Sequence, residues 1–138
     1  MTTANKELVQ RWFDDVWNRS RTETIDELFA ADGVAHGLSE GNDSPLNGAA
    51  DFKVFHRKFK DAFPDLTVDV VDMISEGDKV AARCAVKGKH EGDSLGIAAT
   101  KSPVDFEGIT IVRIKEGKIV EAWNHFDFAR MYRQLGTL

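Results

Sequence analysis

The sequence predicts an α+β domain in which a curved antiparallel sheet packs against N-terminal helices and encloses an apolar pocket. Up to Phe63, apolar residues recur at helical spacing, and from Leu66 onward their period changes to two, as in strands. Helices followed by a run of strands are typical of α+β folds. The 138 residues match the length of a single domain, which is long enough to bury a core.

Two helices are predicted before the first extended segment. The first runs from about Ala4 to Asn18, where apolar residues form one stripe and Thr3 is a candidate N-cap. The second is short, from about Thr22 to Phe29, and Gly33–Gly37 is predicted to be extended. Residues 38–47 are rich in Gly, Asn, Asp, Ser and Pro, which predicts a loop.

The third predicted helix begins near Gly48 and carries phenylalanines on one face. They stand at offsets of 0, 3, 7 and 11: Phe52, Phe55, Phe59 and Phe63. Pro64 ends the helix, because the residue before a proline is disfavoured in the helical region.

The remaining chain predicts four strands and a short closing helix. In the first strand the alternation changes at Val70–Val71, which predicts a β-bulge and therefore a bend. The later strands are predicted over Lys79–His90, Pro103–Lys115 and Lys118 to about Phe126, with turns at Glu76–Asp78 and Glu116–Gly117, an excursion over Glu91–Lys101 and a helix over Phe128–Leu135. A bent sheet with helices on one face forms a cone with a pocket inside.

Charge and cysteine content exclude several classes of function. The net charge is −5 and the basic residues are scattered, so neither a nucleic-acid footprint nor a polybasic membrane patch is present. No stretch approaches the roughly 18 apolar residues of a membrane span, and the N-terminus lacks the apolar run of a signal peptide. We therefore expect a cytoplasmic protein. Cys84, the only cysteine, is most simply a core residue and has no partners at metal-ligand spacing.

Short motifs along most of the chain form a recognisable set. They are Phe63–Leu66, Glu76–Val80, Gly88–Gly92, Leu95–Thr100, Gly108–Thr110, Arg113–Ile114, Gly117–Asp127 and Gln134–Gly136. In order and spacing this set resembles the SnoaL-like polyketide cyclases. The resemblance implies the cone fold of the nuclear transport factor 2-like superfamily, usually dimeric. That fold hosts cyclases, isomerases, epoxide hydrolases and non-catalytic binders, so it does not decide the function.

The resemblance implies an intramolecular aldol ring closure without metal or cofactor, started by an aspartate on the last strand. Asn124 stands at that position. A carboxamide donates or accepts hydrogen bonds but does not serve as a general base near neutral pH. The family cyclases carry glutamine and histidine near Gly108 and Thr110. Thr110 offers a hydroxyl there, whereas Gly108 offers no side chain.

His36 is the candidate catalytic base, because the resemblance places a polar residue near this point of the pocket wall and imidazole exchanges protons near neutral pH. Asn124 and Thr110 would then hold the substrate oxygen. The alternative is a histidine hydrogen-bonded beside the Gly37 loop. Asp127 directly precedes the last helix and is interpreted as its N-cap rather than as a reserve base.

Two other histidines are expected to lie away from the pocket. His56 falls on the polar face of the third predicted helix and is expected to be solvated. Alternation along the last strand turns His125 away from Asn124.

Five apolar residues are predicted to line the pocket and to bind a small hydrophobic molecule: Trp17, Phe59, Phe63, Met73 and Phe106. The alternative is an ordinary core. Two polar residues are further candidates for substrate binding. Arg83 either anchors a ligand anion or pairs with Asp69, Asp105 or Glu107 on the outer face, and we prefer the ion pair. His90 either lines the mouth or caps the end of its strand.

Two functional hypotheses follow. The first is a cofactor-independent cyclase or isomerase that acts on a carbonyl-bearing apolar molecule. The second is a non-catalytic small-molecule-binding protein that has lost the catalytic aspartate. In both, Ile109, Ile111 and Trp123 lie on the outer sheet face, and such large apolar residues predict a homodimer through that face.

Overall fold

In the computed structural model, which describes residues 2–38 and 44–137, two strands precede the third α-helix and four strands follow it. The elements are α1 Thr2–Trp12, a π-helix Phe13–Asn18, α2 Glu23–Leu28, β1 Phe29–His36, β2 Leu46–Asn47, α3 Gly48–Ala62, β3 Thr67–Glu76, β4 Lys79–Lys89, β5 Pro103–Lys115, β6 Lys118–Phe126 and α4 Phe128–Gln134. The predicted α+β class is confirmed. Residues 39–43 of the predicted loop lie outside the described residues.

The six strands form one curved, open sheet in the order β2-β1-β6-β5-β4-β3. Neighbours are antiparallel except β1 and β6, which run parallel, so the sheet is mixed where we expected it to be antiparallel throughout. Parallel neighbours need a long crossover, and here the whole segment from β2 to β5 lies between them.

Irregular pairing bends the sheet around the helices. The register of β3 against β4 shifts between Val70 and Asp72, which confirms the predicted bulge. A second shift lies between Arg113 and Ile114, in the pairing of β5 with β6. An extra residue increases local twist and bends its strand, which is how the sheet becomes concave toward α1 and α3.

The first helix differs from its prediction in two ways. It begins at Thr2, so Thr3 lies inside it rather than at the cap, and it widens into a π-helix at Phe13. The last carbonyls of a helix need outside donors. Here His56 contacts the carbonyl of Val16 at 2.6 Å, and the Lys60 ammonium donates to the carbonyl of Trp17 at 3.0 Å.

His56 is therefore buried, and the expectation that it is solvated was wrong. Only 3% of it is exposed, and its ring lies 4.8 Å from that of Trp17. Helical spacing within α3 places His56 beside the phenylalanines, four residues after Phe52 and three before Phe59, and the π-helix covers that side. Burial lowers the pKa of His56, since its hydrogen bond to Val16 only partly opposes this effect.

Local capping and turn predictions are confirmed at the C-terminal end. The Asp127 carboxylate accepts a hydrogen bond from the backbone N–H of Arg130 at 3.0 Å, so it caps α4. Glu116 and Gly117 both have positive φ, 54° and 75°, as a two-residue turn between antiparallel strands requires.

The core lies between the inner sheet face and the helices. On β4 its residues alternate with exposed or half-buried ones: Val80, Ala82, Cys84 and Val86. Burial raises the pKa of the Cys84 thiol to about 12, which makes it an unreactive core side chain. Across the described part of the chain, no helix has both the length and the apolar character needed to span a bilayer.

Candidate functional site

A cavity lies between the inner sheet face and the helices, where the curved sheet does not close on α1, the π-helix and α3. The cavity volume is about 80 Å³. Its walls are apolar except for Thr110 and Asn124. Trp17, Phe59 and Phe106, predicted as wall residues, do line it.

Thr110 and Asn124 are cross-strand partners on β5 and β6 and both face the cavity. Thr110 is only 2% exposed, and its hydroxyl has no hydrogen-bond partner within residues 2–38 and 44–137. A buried hydroxyl without a partner costs free energy of about 1–3 kcal/mol. The cavity thus holds an unused donor and acceptor at its wall.

The amide of Asn124 is oriented by the end of β1. Its Nδ2 donates a hydrogen bond to the backbone carbonyl of His36 at 2.9 Å, so the amide oxygen turns away from that carbonyl. Gly37 makes the approach possible. It has φ of +84°, and a Cβ there would collide with the backbone carbonyl oxygen of Asn124.

No side chain that titrates near neutral pH lines the cavity within the described part of the chain. The wall can therefore hold an oxygen through Thr110 and Asn124. It offers no described group that would take a proton from carbon.

His36 does not face the cavity, contrary to the expectation for a base at the pocket wall. Ala35 lines the cavity, and alternation along β1 turns His36 to the outer face. There its Nε2 lies 2.7 Å from Oε2 of Glu121, and its ring stacks on Trp123 with 5.8 Å between centroids. The hydrogen bond with His36, helped by Arg113, lowers the pKa of Glu121.

Arg83 also lies on the outer face, because its neighbours Ala82 and Cys84 point inward and are buried. Its guanidinium is 3.9 Å from the Glu107 carboxylate, and both side chains are exposed. This is the ion pair that the sequence analysis preferred to a ligand anchor. A surface pair at this distance contributes little to stability.

Three other predicted binding residues do not line the cavity: Phe63, Met73 and His90. Phe63 and His90 are fully buried, with their rings 5.5 Å apart. His90 lies just beyond β4, where its Nδ1 accepts a hydrogen bond from the Thr100 N–H at 3.1 Å. Met73 pairs with Ala82 on the inner face and packs against the core.

Phe126 and Phe128 both line the cavity, although neither was predicted to belong to the site. Phe126 stands two residues after Asn124 and shares its face, so strict alternation could have found it. Phe128 follows the Asp127 cap on α4, and no strand periodicity reaches it. Of the lining residues, only Phe55, Asn124, Phe126 and Phe128 keep partial exposure, which places the opening beside them.

Fold and cavity together define a cone-shaped α+β domain with an internal, mainly apolar cavity. The chain belongs to the SnoaL-like polyketide cyclase family, whose model matches residues 7–135.

Relatives span almost the whole chain. The aklanonic acid methyl ester cyclase DnrD of Streptomyces peucetius is 29% identical over 131 residues, which are 94% of this chain and 89% of DnrD. The crystal structure of IdmH from Streptomyces antibioticus is 29% identical and covers 96% of this chain and 98% of its own, with a TM-score of 0.82. TsrD from Streptomyces laurentii covers 99% and 97% at a TM-score of 0.85, and at 23% identity it shows the fold alone.

Proposed function

We propose that the protein binds a small apolar molecule that carries a carbonyl oxygen, and that Thr110 and Asn124 contact this oxygen. The observation that carries the proposal is the buried Thr110 hydroxyl, which faces an apolar cavity and has no described partner. A ligand oxygen would satisfy that hydroxyl and remove its desolvation cost. Apolar walls with a few placed polar groups are the usual composition of small-molecule sites.

The geometry favours a non-catalytic role as the first candidate. Asn124 is matched to its place because it donates to the His36 carbonyl, whereas an ionised carboxylate there would face that oxygen without a proton to share. With an amide at this position and no titratable side chain on the described walls, the cavity is equipped to hold a ketone oxygen.

A pair of matched probes tests this binding function. Acetophenone carries a carbonyl, and ethylbenzene has the same carbon skeleton without it. Isothermal titration calorimetry of the wild type and of Thr110→Val should show about 2- to 12-fold weaker binding of acetophenone to the variant, the value of one hydrogen bond. Ethylbenzene should bind both proteins equally well or prefer the variant. Equal losses for both probes, or no binding of either, would refute the proposal.

Family membership favours a second candidate, a cofactor-independent cyclase or isomerase. Relatives 29% identical over 94% of the chain are named as cyclases of aklanonic acid methyl ester. In this candidate Asn124 and Thr110 stabilise an enolate oxygen rather than remove the proton.

The two candidates separate in an assay with aklanonic acid methyl ester. The binding proposal expects no ring closure by the wild type, and Asn124→Asp is the rescue control because it restores a carboxylate at the family position. Ring closure by the wild type above the uncatalysed rate would establish the enzyme instead.

We further propose a homodimer through the outer sheet face. Ile109 and Ile111 are 46% and 40% exposed there, and Ile111 pairs across the strands with Ala81 and Trp123. Large apolar side chains in a row across a sheet mark a contact surface. Light scattering at micromolar concentration should give twice the monomer mass of 15.4 kDa. Substitution Ile111→Lys should return that mass to the monomer value, and a wild-type monomer would sink the dimer.

A further inference from the structure

The ring of Phe126 lies directly over the backbone of Gly108. The two residues are cross-strand partners on β5 and β6. A Cβ at Gly108 would collide with Cγ and Cδ2 of Phe126. The missing side chain at position 108 is therefore what leaves room for Phe126 to pack against this part of the cavity wall.

Phe126 continues into a row of rings at the cavity opening. Its centroid is 6.3 Å from that of Phe128, which is 5.8 Å from Phe59, and Phe59 is 4.7 Å from Phe55. All four rings line the cavity, and three of them keep partial exposure. We call Phe55, Phe59, Phe126 and Phe128 the aromatic arc.

The aromatic arc lies next to the two polar wall residues, Thr110 and Asn124, without including them. Along the strands, Thr110 and Asn124 are two residues from Gly108 and Phe126, and two residues of a strand span about 7 Å. A ligand whose carbonyl reaches Thr110 would therefore lay the group next to that carbonyl against Phe126. An aryl ketone, with its carbonyl directly on a flat ring, has this arrangement.

We propose that Phe126 is a specificity-determining residue that selects ligands with a planar aromatic group beside the carbonyl. The inference rests on the proposed function, since the same cavity must hold the oxygen at Thr110. Phenyl rings favour offset or edge contacts with other rings beyond what their buried area contributes. A saturated ring of the same size is puckered and has no such interaction.

The test uses acetophenone and cyclohexyl methyl ketone, which share a carbon skeleton and a carbonyl and differ only in whether the ring is aromatic. Both dissociation constants are measured by calorimetry for the wild type, Phe126→Leu and Gly108→Ala. We expect the ratio of the two constants to shift by about 2- to 10-fold against acetophenone in Phe126→Leu. Gly108→Ala should shift it in the same direction, because the new Cβ displaces the ring.

Phe63→Leu is the matched control. Phe63 is a fully buried phenylalanine outside the cavity, so its loss should lower the melting temperature and leave the ratio unchanged. Circular dichroism melts establish that each variant is folded at the titration temperature. If Gly108→Ala does not fold, Phe126→Leu alone decides.

Three outcomes are possible. A shifted ratio in Phe126→Leu, with none in Phe63→Leu, supports the inference. Ketone binding with the wild-type ratio retained in Phe126→Leu overturns it and leaves the proposed function standing. Failure of both ketones to bind the wild type overturns the proposed function and, with it, the role of Phe126.

Discussion

The inner and outer faces of the sheet differ in the kind of side chain that they place against the usual rule. Polar groups are usually exposed and apolar groups buried, but the neighbouring residues Thr110 and Ile111 do the opposite. On the inner face Thr110 is buried with a hydroxyl that has no described partner, and on the outer face Ile111 is 40% exposed. Burial without a hydrogen bond and apolar exposure are both unfavourable for an isolated chain. The ligand and the second copy that we propose would relieve these costs, a ligand oxygen at Thr110 inside and a dimer partner at Ile111 outside.

The end of β1 joins the two faces. His36 places its side chain on the outer face against Glu121 and Trp123, while its backbone carbonyl accepts the hydrogen bond from Asn124. The side chain of His36 thus makes its contacts on the outer face, and its main-chain carbonyl makes a contact on the inner face. This junction depends on the glycine at position 37, because any amino acid with a Cβ would collide there with the backbone of β6.

The largest effect is expected from Gly37→Ala. The methyl group would collide with the Asn124 carbonyl at a residue with φ of +84°, so both overpacking and backbone strain apply. Together they should lower the free energy of unfolding by about 3 kcal/mol or more, measured by urea denaturation.

Gly77→Ala is the control for this prediction. Gly77 also has positive φ, 59°, but nothing lies within 4 Å of a Cβ built there. It should lose only the conformational term, about 1 kcal/mol. Equal losses in the two variants would mean that the contact between β1 and β6 is looser than the structure has it.

Local sequence signals predicted most of the fold. Glycines, prolines and alternation placed β5 and β6 at their observed bounds, the bulge at Val70–Val71 and the cap at Asp127, because each depends on neighbours along the chain. The π-helix and the parallel pairing of β1 with β6 depend on distant contacts, and they were not predicted.

The site was predicted only in part. The resemblance to the family singled out Thr110 and Asn124, and alternation along β5 and β6 agrees with their inward facing. The resemblance also assigned His36 to the pocket wall, and no local signal on β1 revealed that Ala35, rather than His36, lines the cavity. Spacing could have placed His56 beside Phe52 and Phe59 on α3, but it could not reveal that the π-helix covers this side chain.

The second prediction concerns His56, which is neutral when buried. Because folding lowers its pKa below the unfolded value of about 6.5, the unfolded state binds more protons as the pH falls. Its contribution to stability is complete above that value and declines below it, toward the folded pKa. His56→Leu should cost about 2 kcal/mol at pH 7.5 by leaving the Val16 carbonyl without its donor.

The pH dependence separates this role from simple packing. Melting temperatures of wild type and His56→Leu should converge as the pH is lowered from 7.5 to 5, because the variant lacks the group that protonates on unfolding. His56→Gln can still donate to the Val16 carbonyl, and it should recover part of the stability without the pH dependence. A constant gap between wild type and His56→Leu would contradict the burial of a neutral imidazole.

On the inner face, Thr110→Val should stabilise the ligand-free protein. Valine has the same shape and removes the unsatisfied hydroxyl, so the free energy of unfolding should rise by about 1 kcal/mol and the melting temperature by about 2–5 °C. Val112→Thr makes the reverse change two residues along the same face and should destabilise. A fall in stability for Thr110→Val would show that the hydroxyl already has a partner in solution.

The smallest effect on the cavity is expected from His36→Ala, which removes an outer-face side chain but keeps the carbonyl that orients Asn124. Binding of acetophenone should match the wild type. Asn124→Ala should weaken it, because the side chain of Asn124 is on the cavity wall.

On the outer face the effect of His36→Ala should still be visible, because Glu121 loses the hydrogen bond that contributes most to lowering its pKa and keeps only Arg113. An NMR titration of the Glu121 carboxyl should therefore show its pKa rising toward the ordinary glutamate value. If His36→Ala abolished ligand binding or turnover while Glu121 titrated as in the wild type, the imidazole would have to reach the cavity, and the separation of the two faces would fail at the residue that joins them.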